Sequence, residues 1–419
     1  MHIRICFIPK ILYPPMRNSF LLLAFNLFIL ASCSRTVVTE LQKVFSSDGA
    51  KGISFGSVVS VADSLAIIGA NNESAFIFGM DSSGTWTEIT KLTASDGTLS
   101  DRFGNSASIS GRRVIIGASA DDDDVIGTDT GSAYIFEADS SGTWLEMAKL
   151  TASDAGGGDF FGQSVSISGD RAIVGAFLDD GISSGINRGS AYIFEIDSSG
   201  FWSEVAKLTP LDEIGNQNFG SSVCISGELV IVGAYLDNLE DGSGIHSGSV
   251  YIFERNSTGT WSEVTRLRAS DEASEDYFGG NVFLNDNLAV VGARLNDDDG
   301  SASGSAYIFK RDSSGFWSEA TKLTASDASS GDLFGASVSL WGNRVLIGAP
   351  LDDGRKGSAY IFELDSTGSW TETAKLLASD GTESDRFGGS VSIFGNNILI
   401  GSSFDDDLGR ATGSAYFFR

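Results

Sequence analysis

Histidine is nearly absent from this chain. The 419 residues hold two, and His2 lies in a leader-like segment, so His246 stands alone in the body. That excludes a histidine-dependent triad and a multi-histidine metal site. Three cysteines supply no disulfide framework, so stability must come from packing. Basic residues are scarce, 28 against 55 acidic, for a formal charge of -27. A surface of that sign repels phosphate backbones and anionic headgroups, which excludes nucleic acid as a partner and leaves a lipid anchor as the only route to a membrane. Prolines number five, against 51 glycines, 28 Phe and seven Trp, a composition of short strands and tight turns. Charged residues make up only 20% and apolar ones 42%, which does not describe a disordered acidic chain.

No apolar run reaches the roughly 20 residues of a spanning helix. Ser19 to Leu30 is shorter, preceded by Arg17 and followed by Ala31-Ser32-Cys33. These are the parts of a secretory signal, and Leu30-Ala31-Ser32-Cys33 resembles a bacterial lipobox. Residues 1–33 are therefore expected to be a leader, with Met16 as its start and Cys33 as the lipid-attachment site. The product would be exported and lipid-anchored in the cell envelope, or simply secreted if Cys33 is incidental. Cys224, in Ser222-Val223-Cys224-Ile225-Ser226, reads as a small packed side chain.

Internal repetition dominates the remainder. Phe-Gly pairs begin at Phe55, Phe103, Phe161, Phe219, Phe278, Phe334 and Phe387, spaced by 48, 58, 58, 59, 56 and 53 residues. Each is followed by an alternating segment, a tight turn and an apolar run ending in Gly and a small residue. A variable acidic loop, Gly-Ser-Ala-Tyr-Ile-Phe, an Asp-Ser-Ser-Gly turn and Trp-x-Glu-x-x-Lys-Leu complete the unit. Period-two alternation and Gly/Asn/Asp turns mark four strands per unit, a to d. Four antiparallel strands repeated seven times predict an all-β, seven-bladed β-propeller over residues 34–419. Trp86, Trp144, Trp202, Trp261, Trp317 and Trp370 open strand d and are expected to pack between blades. The glycines of the Phe-Gly pairs would let neighbouring backbones approach closely. The last repeat stops after strand c, and Val38 to Val44 carries the strand d pattern of Glu and Lys. The N-terminal strand should therefore complete the seventh blade, closing the ring and removing an exposed edge.

Phe334-Gly335 with Gly348-Ala349-Pro350 resembles the FG-GAP repeat of integrin α-chain propellers, and the likeness extends over roughly residues 37 to 419. It implies a propeller serving adhesion or extracellular recognition. The family's Asp-x-Asp-x-Asp-Gly calcium loop between strands a and b is replaced here by tight turns such as Ser110-Gly111-Arg112-Arg113, so that site does not transfer.

In an up-and-down blade the b–c and d–a connections share one face, and most of the 55 acids fall in them. Three uses are open: a solvated surface, calcium ligation, or attraction of a basic protein. The calcium candidates are Asp297, Asp298 and Asp299, and Asp405, Asp406 and Asp407; Ca²⁺ is the one cofactor considered. A ligand face would include Asp121, Asp122, Asp123 and Asp124, with Phe177, Tyr235 and Phe404 either adding apolar contact or packing beneath the loops. The Asp two places before Phe-Gly, at 101, 159, 276, 332 and 385, reads as a turn residue accepting a backbone N–H. A paired-carboxylate hydrolase needs only two acids, but the acids here are spread evenly over similar repeats. The expected function is non-catalytic binding of an extracellular or envelope protein or glycan, with a calcium-dependent adhesive module as the alternative.

Overall fold

The computed structural model describes residues 38–49, 52–71, 73–122, 126–180, 187–211, 217–238 and 245–419. Cys33 and the rest of the leader, with Asp123 and Asp124, lie outside the described residues. The predicted architecture is observed. Seven four-stranded antiparallel sheets run in the order a-b-c-d, from Val58–Ala62, Leu65–Ala70, Ser74–Met80 and Trp86–Leu92 in blade 1 onward. Blade 7 takes Ser390–Phe394, Asn397–Ser402 and Ser414–Phe418 from the C-terminus and Glu40–Val44 from the N-terminus. Gln42, Lys43 and Val44 pair with Phe417, Tyr416 and Ala415, which closes the ring.

Three features of the repeat explain why the ring forms. The Phe of each Phe-Gly pair is fully buried; Phe161 meets Tyr192 and Phe194 edge-on with centroids 5.5 and 6.0 Å away. Its glycine sits at positive φ against the preceding blade. A Cβ on Gly162 would lie 2.2 Å from the Ser132 carbonyl oxygen, so no other residue fits without moving a backbone. Trp86 stacks on Phe417 of blade 7 at 4.2 Å and 7°, and Trp202, Trp261 and Trp317 are likewise buried, whereas Trp144 and Trp370 are half-buried.

Strand d carries the rest of the lock. Its Glu hooks the connection leaving the preceding blade: Glu204 accepts from Ser153 N–H and Oγ, both at 2.9 Å. Glu40 does the same to Ser379 at 2.9 and 3.0 Å, so the closing strand uses the same latch as an internal one.

Strands a of neighbouring blades touch around a central channel. Their inner edge has no strand to pair with, and buried N–H groups need partners. Serine supplies them: Ser60 Oγ accepts Ile109 N–H at 3.3 Å, Ser166 accepts Ile225 at 3.2 Å and Ser392 accepts Val61 at 3.0 Å. Cys224 occupies one such place, accepting Leu284 N–H at 3.3 Å. Burial pushes its thiol up to about 11, as expected of a packing residue.

Candidate functional site

The face bearing the b–c and d–a connections, called the Phe-Gly face below, is acidic, but its carboxylates are largely engaged. The strand d lysine gathers two of them beneath the strand c tyrosine. In blade 3, Lys207 Nζ lies 2.7 Å from Asp154 and 2.6 Å from Asp179, and the Tyr192 hydroxyl is 2.9 and 2.8 Å from the same two. Lys149 with Asp96 and Asp121, and Lys375 with Asp327 and Asp352, repeat the cluster. Burial works against the charge on Lys149, Lys207 and Lys375, yet the paired carboxylates outweigh it and raise all three. Burial and the flanking acids push the Tyr192 phenol far above its usual range.

Strand d lysines hold four of the ten sequence-nominated acids, Asp121, Asp298, Asp405 and Asp407. Asp121 is buried in the Lys149 cluster, and the Asp122 carboxylate accepts Asp129 N–H at 2.8 Å. Asp405 is buried against Ser414, Tyr416 and Lys43, and Asp407 meets Lys43 at 2.6 Å. Asp298 pairs with Lys322, and Asp297 accepts Ala302 N–H at 2.7 Å. Asp299 and Asp406 are exposed. Among the described residues no group of three or more His, Cys, Asp or Glu is arranged to hold a metal. In five blades an Asp two places before Phe-Gly accepts a backbone N–H three residues earlier, as at Asp159 from Gly156 (2.6 Å) and Asp332 from Ser329 (2.8 Å). Burial pushes Asp159 up to about 6.

What differs between blades lies around the channel mouth on this face. The residue before every Phe-Gly has left-handed backbone, with φ between +51° and +60° at Ser54, Arg102, Phe160, Asn218, Tyr277, Leu333 and Arg386. Only Asn218 is of a type that favours that region. The backbone is thus repeated seven times while the side chain changes. Blades 2 to 5 use these positions, with the residues that follow strand b, to build a sector of two aromatic groups, each with an arginine. The Arg102 guanidinium lies 5.9 Å from the Phe160 ring, which packs on Phe177 at 5.9 Å. Tyr235 packs on Tyr277 at 5.4 Å, and Arg294 stands 5.5 Å from Tyr277. His246 joins the edge, 6.0 Å from Tyr277 and 3.3 Å from Glu275. Phe177 and Tyr235 are half-buried, and Phe404 is 42% exposed beneath Arg386 at 4.1 Å. Sequence reasoning missed Arg102, Phe160, Tyr277 and Arg294. The signal for the first three was the variable residue before an invariant-looking pair; Arg294 follows strand b.

The FG-GAP repeat profile matches residues 86–136, 144–194, 202–253, 261–309, 317–362 and 370–418. The matched units cover well over half of the chain, which therefore belongs to the FG-GAP repeat family. Each runs from strand d of one blade through strand c of the next. No curated protein matches the sequence. Among solved structures, one described as the structure of U3-55K is similar at 12% identity, with a TM-score of 0.56 over 91% of this chain and 98% of that one. The crystal structure of RRP9 WD40 repeats gives 12%, 0.56, 91% and 97%. At that identity the likeness concerns the propeller fold alone.

Proposed function

We propose that this FG-GAP propeller is a non-catalytic, exported binding module that recognises a protein partner through the Phe-Gly face. The single observation behind this reading is the sector just described, where one repeated backbone position carries Arg102, Phe160 and Tyr277 in place of residues alike in kind. Aromatic and guanidinium groups are the side chains on which protein interfaces concentrate their energy. Exposed acids elsewhere on the same face, Asp299, Asp406 and Glu383 among them, favour a partner whose contact surface carries Lys or Arg around an apolar centre. Acylation of Cys33, left as the new N-terminus once the leader is removed, would hold the ring at the envelope by a lipid.

Affinity capture from envelope and host extracts tests this, with the wild type beside Tyr277→Ala/Arg294→Glu. A protein retained by the wild type and lost from the variant, with both melting alike, is the expected result. An identical set of captured proteins would refute the assignment of the face. Labelling with radioactive fatty acid should mark the wild type and not Cys33→Ala; no label on either removes the anchor. A glycan and ester hydrolysis screen is expected to show no turnover.

A further inference from the structure

The opposite mouth of the channel, where the a–b turns emerge, breaks the repeat in a different way. A cavity of ≈ 380 Å³ opens there, at the small end of the roughly 300–1,000 Å³ of ligand pockets. Between it and the Phe-Gly mouth a tier containing Ser60, Ser108, Ser166, Cys224, Phe283 and Ser392 lines both this cavity and the one on the other side. Phe283 stands where six blades have Ser or Cys, and packs against the core clusters on both sides of blade 5.

The last residue of strand a sets the chemistry of this mouth. Blades 2, 3 and 4 contribute Ser110, Ser168 and Ser226, and each oxygen accepts the N–H of the next blade's turn, at 3.1, 3.4 and 3.4 Å. With an oxygen lone pair so used, the hydroxyl hydrogen of each remains to be donated. Blades 6 and 7 instead contribute Trp341 and Phe394, whose rings pack at 3.8 Å and 39°. Trp341 stays 37% exposed although it lines a cavity. The one charged residue of the lining is Asp63, at an exposed turn.

We infer that this mouth is a binding site for a neutral sugar ring, either a free monosaccharide or the end of a glycan. A pyranose has a C–H face that packs on the negative face of an indole, and ring and hydroxyl oxygens that accept from serine. Those are the two halves of the cavity. An anionic sugar gains no cation here and meets the net charge of -27. An alkyl chain would leave the serine hydroxyls facing hydrocarbon, which disfavours it. The site is on the face opposite the proposed protein-binding sector, so either assignment can fail without the other.

Titrating the purified protein with methyl glycosides of glucose, galactose, mannose and N-acetylglucosamine tests this, read by saturation-transfer NMR and tryptophan fluorescence. At least one is expected to bind with a dissociation constant on the order of 1 mM. Trp341→Ala should weaken it by about tenfold or more, as loss of an aromatic anchor does. Glucuronate and hexanol should show no transfer. Should Trp341→Ala fail to fold, Asn285→Trp, which fills the mouth from blade 5, must abolish binding in its place. No transfer from any neutral glycoside overturns the inference, as does binding that survives the folded variant, or binding of hexanol alone.

Discussion

Replacing Lys43 by methionine asks whether the closing strand is held by the buried part of its ion-pair cluster. Lys43 Nζ lies 2.8 Å from Asp380, 2.7 Å from Asp405 and 2.6 Å from Asp407. Asp380 and Asp407 are each 43% exposed, so solvent screens them and together they contribute about 1 kcal/mol or less. Asp405 is 2% exposed, and removing its cation leaves a buried carboxylate. Breaking such a pair costs about 3–5 kcal/mol. Ser414 and Tyr416 still donate to Asp405, at 2.6 and 3.0 Å, which favours the lower end, about 3 kcal/mol. Urea unfolding followed by tryptophan fluorescence measures it. Lys91→Met is the internal control, because the one ion pair Lys91 makes among the described residues is with Asp48, with side chains 37% and 29% exposed, and it should lose about 1 kcal/mol at most. Lys43→Met/Asp405→Asn should recover most of the loss. A single-variant cost equal to that of Lys91→Met, or a double variant no more stable than the single one, would refute the reasoning.

Stability should peak in mild acid, at about pH 5. Burial raises Asp159 to about 6 and also raises Asp276, Asp332 and Asp385, so the fold binds protons before the unfolded chain does and gains stability as pH falls through that window. Asp96, Asp271, Asp352 and Asp380 resist burial through their Lys and Tyr hydrogen bonds and are lowered, so their contribution is lost as pH falls below the usual carboxylate range. A melting profile that rises steadily from pH 5 to 8 would contradict this balance. Cys224 should resist a thiol reagent in the native ring and react on unfolding, and Cys224→Ser should keep the melting point because five of the other six blades place serine there; rapid native labelling would remove its packing role. A chelator should not shift the melting midpoint, since Asp405, Asp407 and Asp298 already hold lysines. Calcium at a hundredfold excess over its dissociation constant would add about 2.7 kcal/mol, a shift too large to miss.

The fold was legible because its determinants recur. Phe-Gly, Gly-Ser-Ala-Tyr-Ile-Phe and Trp-x-Glu-x-x-Lys-Leu each appear often enough to fix the strand count, and the split repeat at the chain ends fixed closure. The charge on the Phe-Gly face was harder to read. Counting acids in loops offered Asp121 to a ligand and Asp405 to calcium, whereas both, like Asp179, lie beneath a tyrosine against a strand d lysine. The lysine and the tyrosine were both visible in the repeat. Their meeting was not, because it depends on strands c and d standing side by side with Tyr192 opposite Lys207.

Recurrence and variation therefore sort the residues by role. A side chain that repeats at one backbone position in most blades, such as Glu204 or Lys207, satisfies a demand the backbone makes every time. A position whose backbone repeats while its side chain does not is under no such demand, and the ring gathers seven of each such position around its axis. Those positions before Phe-Gly place Arg102, Phe160 and Tyr277 at one mouth. Those ending strand a place Ser110, Asn285 and Trp341 at the other. Seven equal backbones with unequal side chains at both ends of one channel are what the two proposed recognition surfaces rest on. Variants at one mouth should leave binding at the other unchanged.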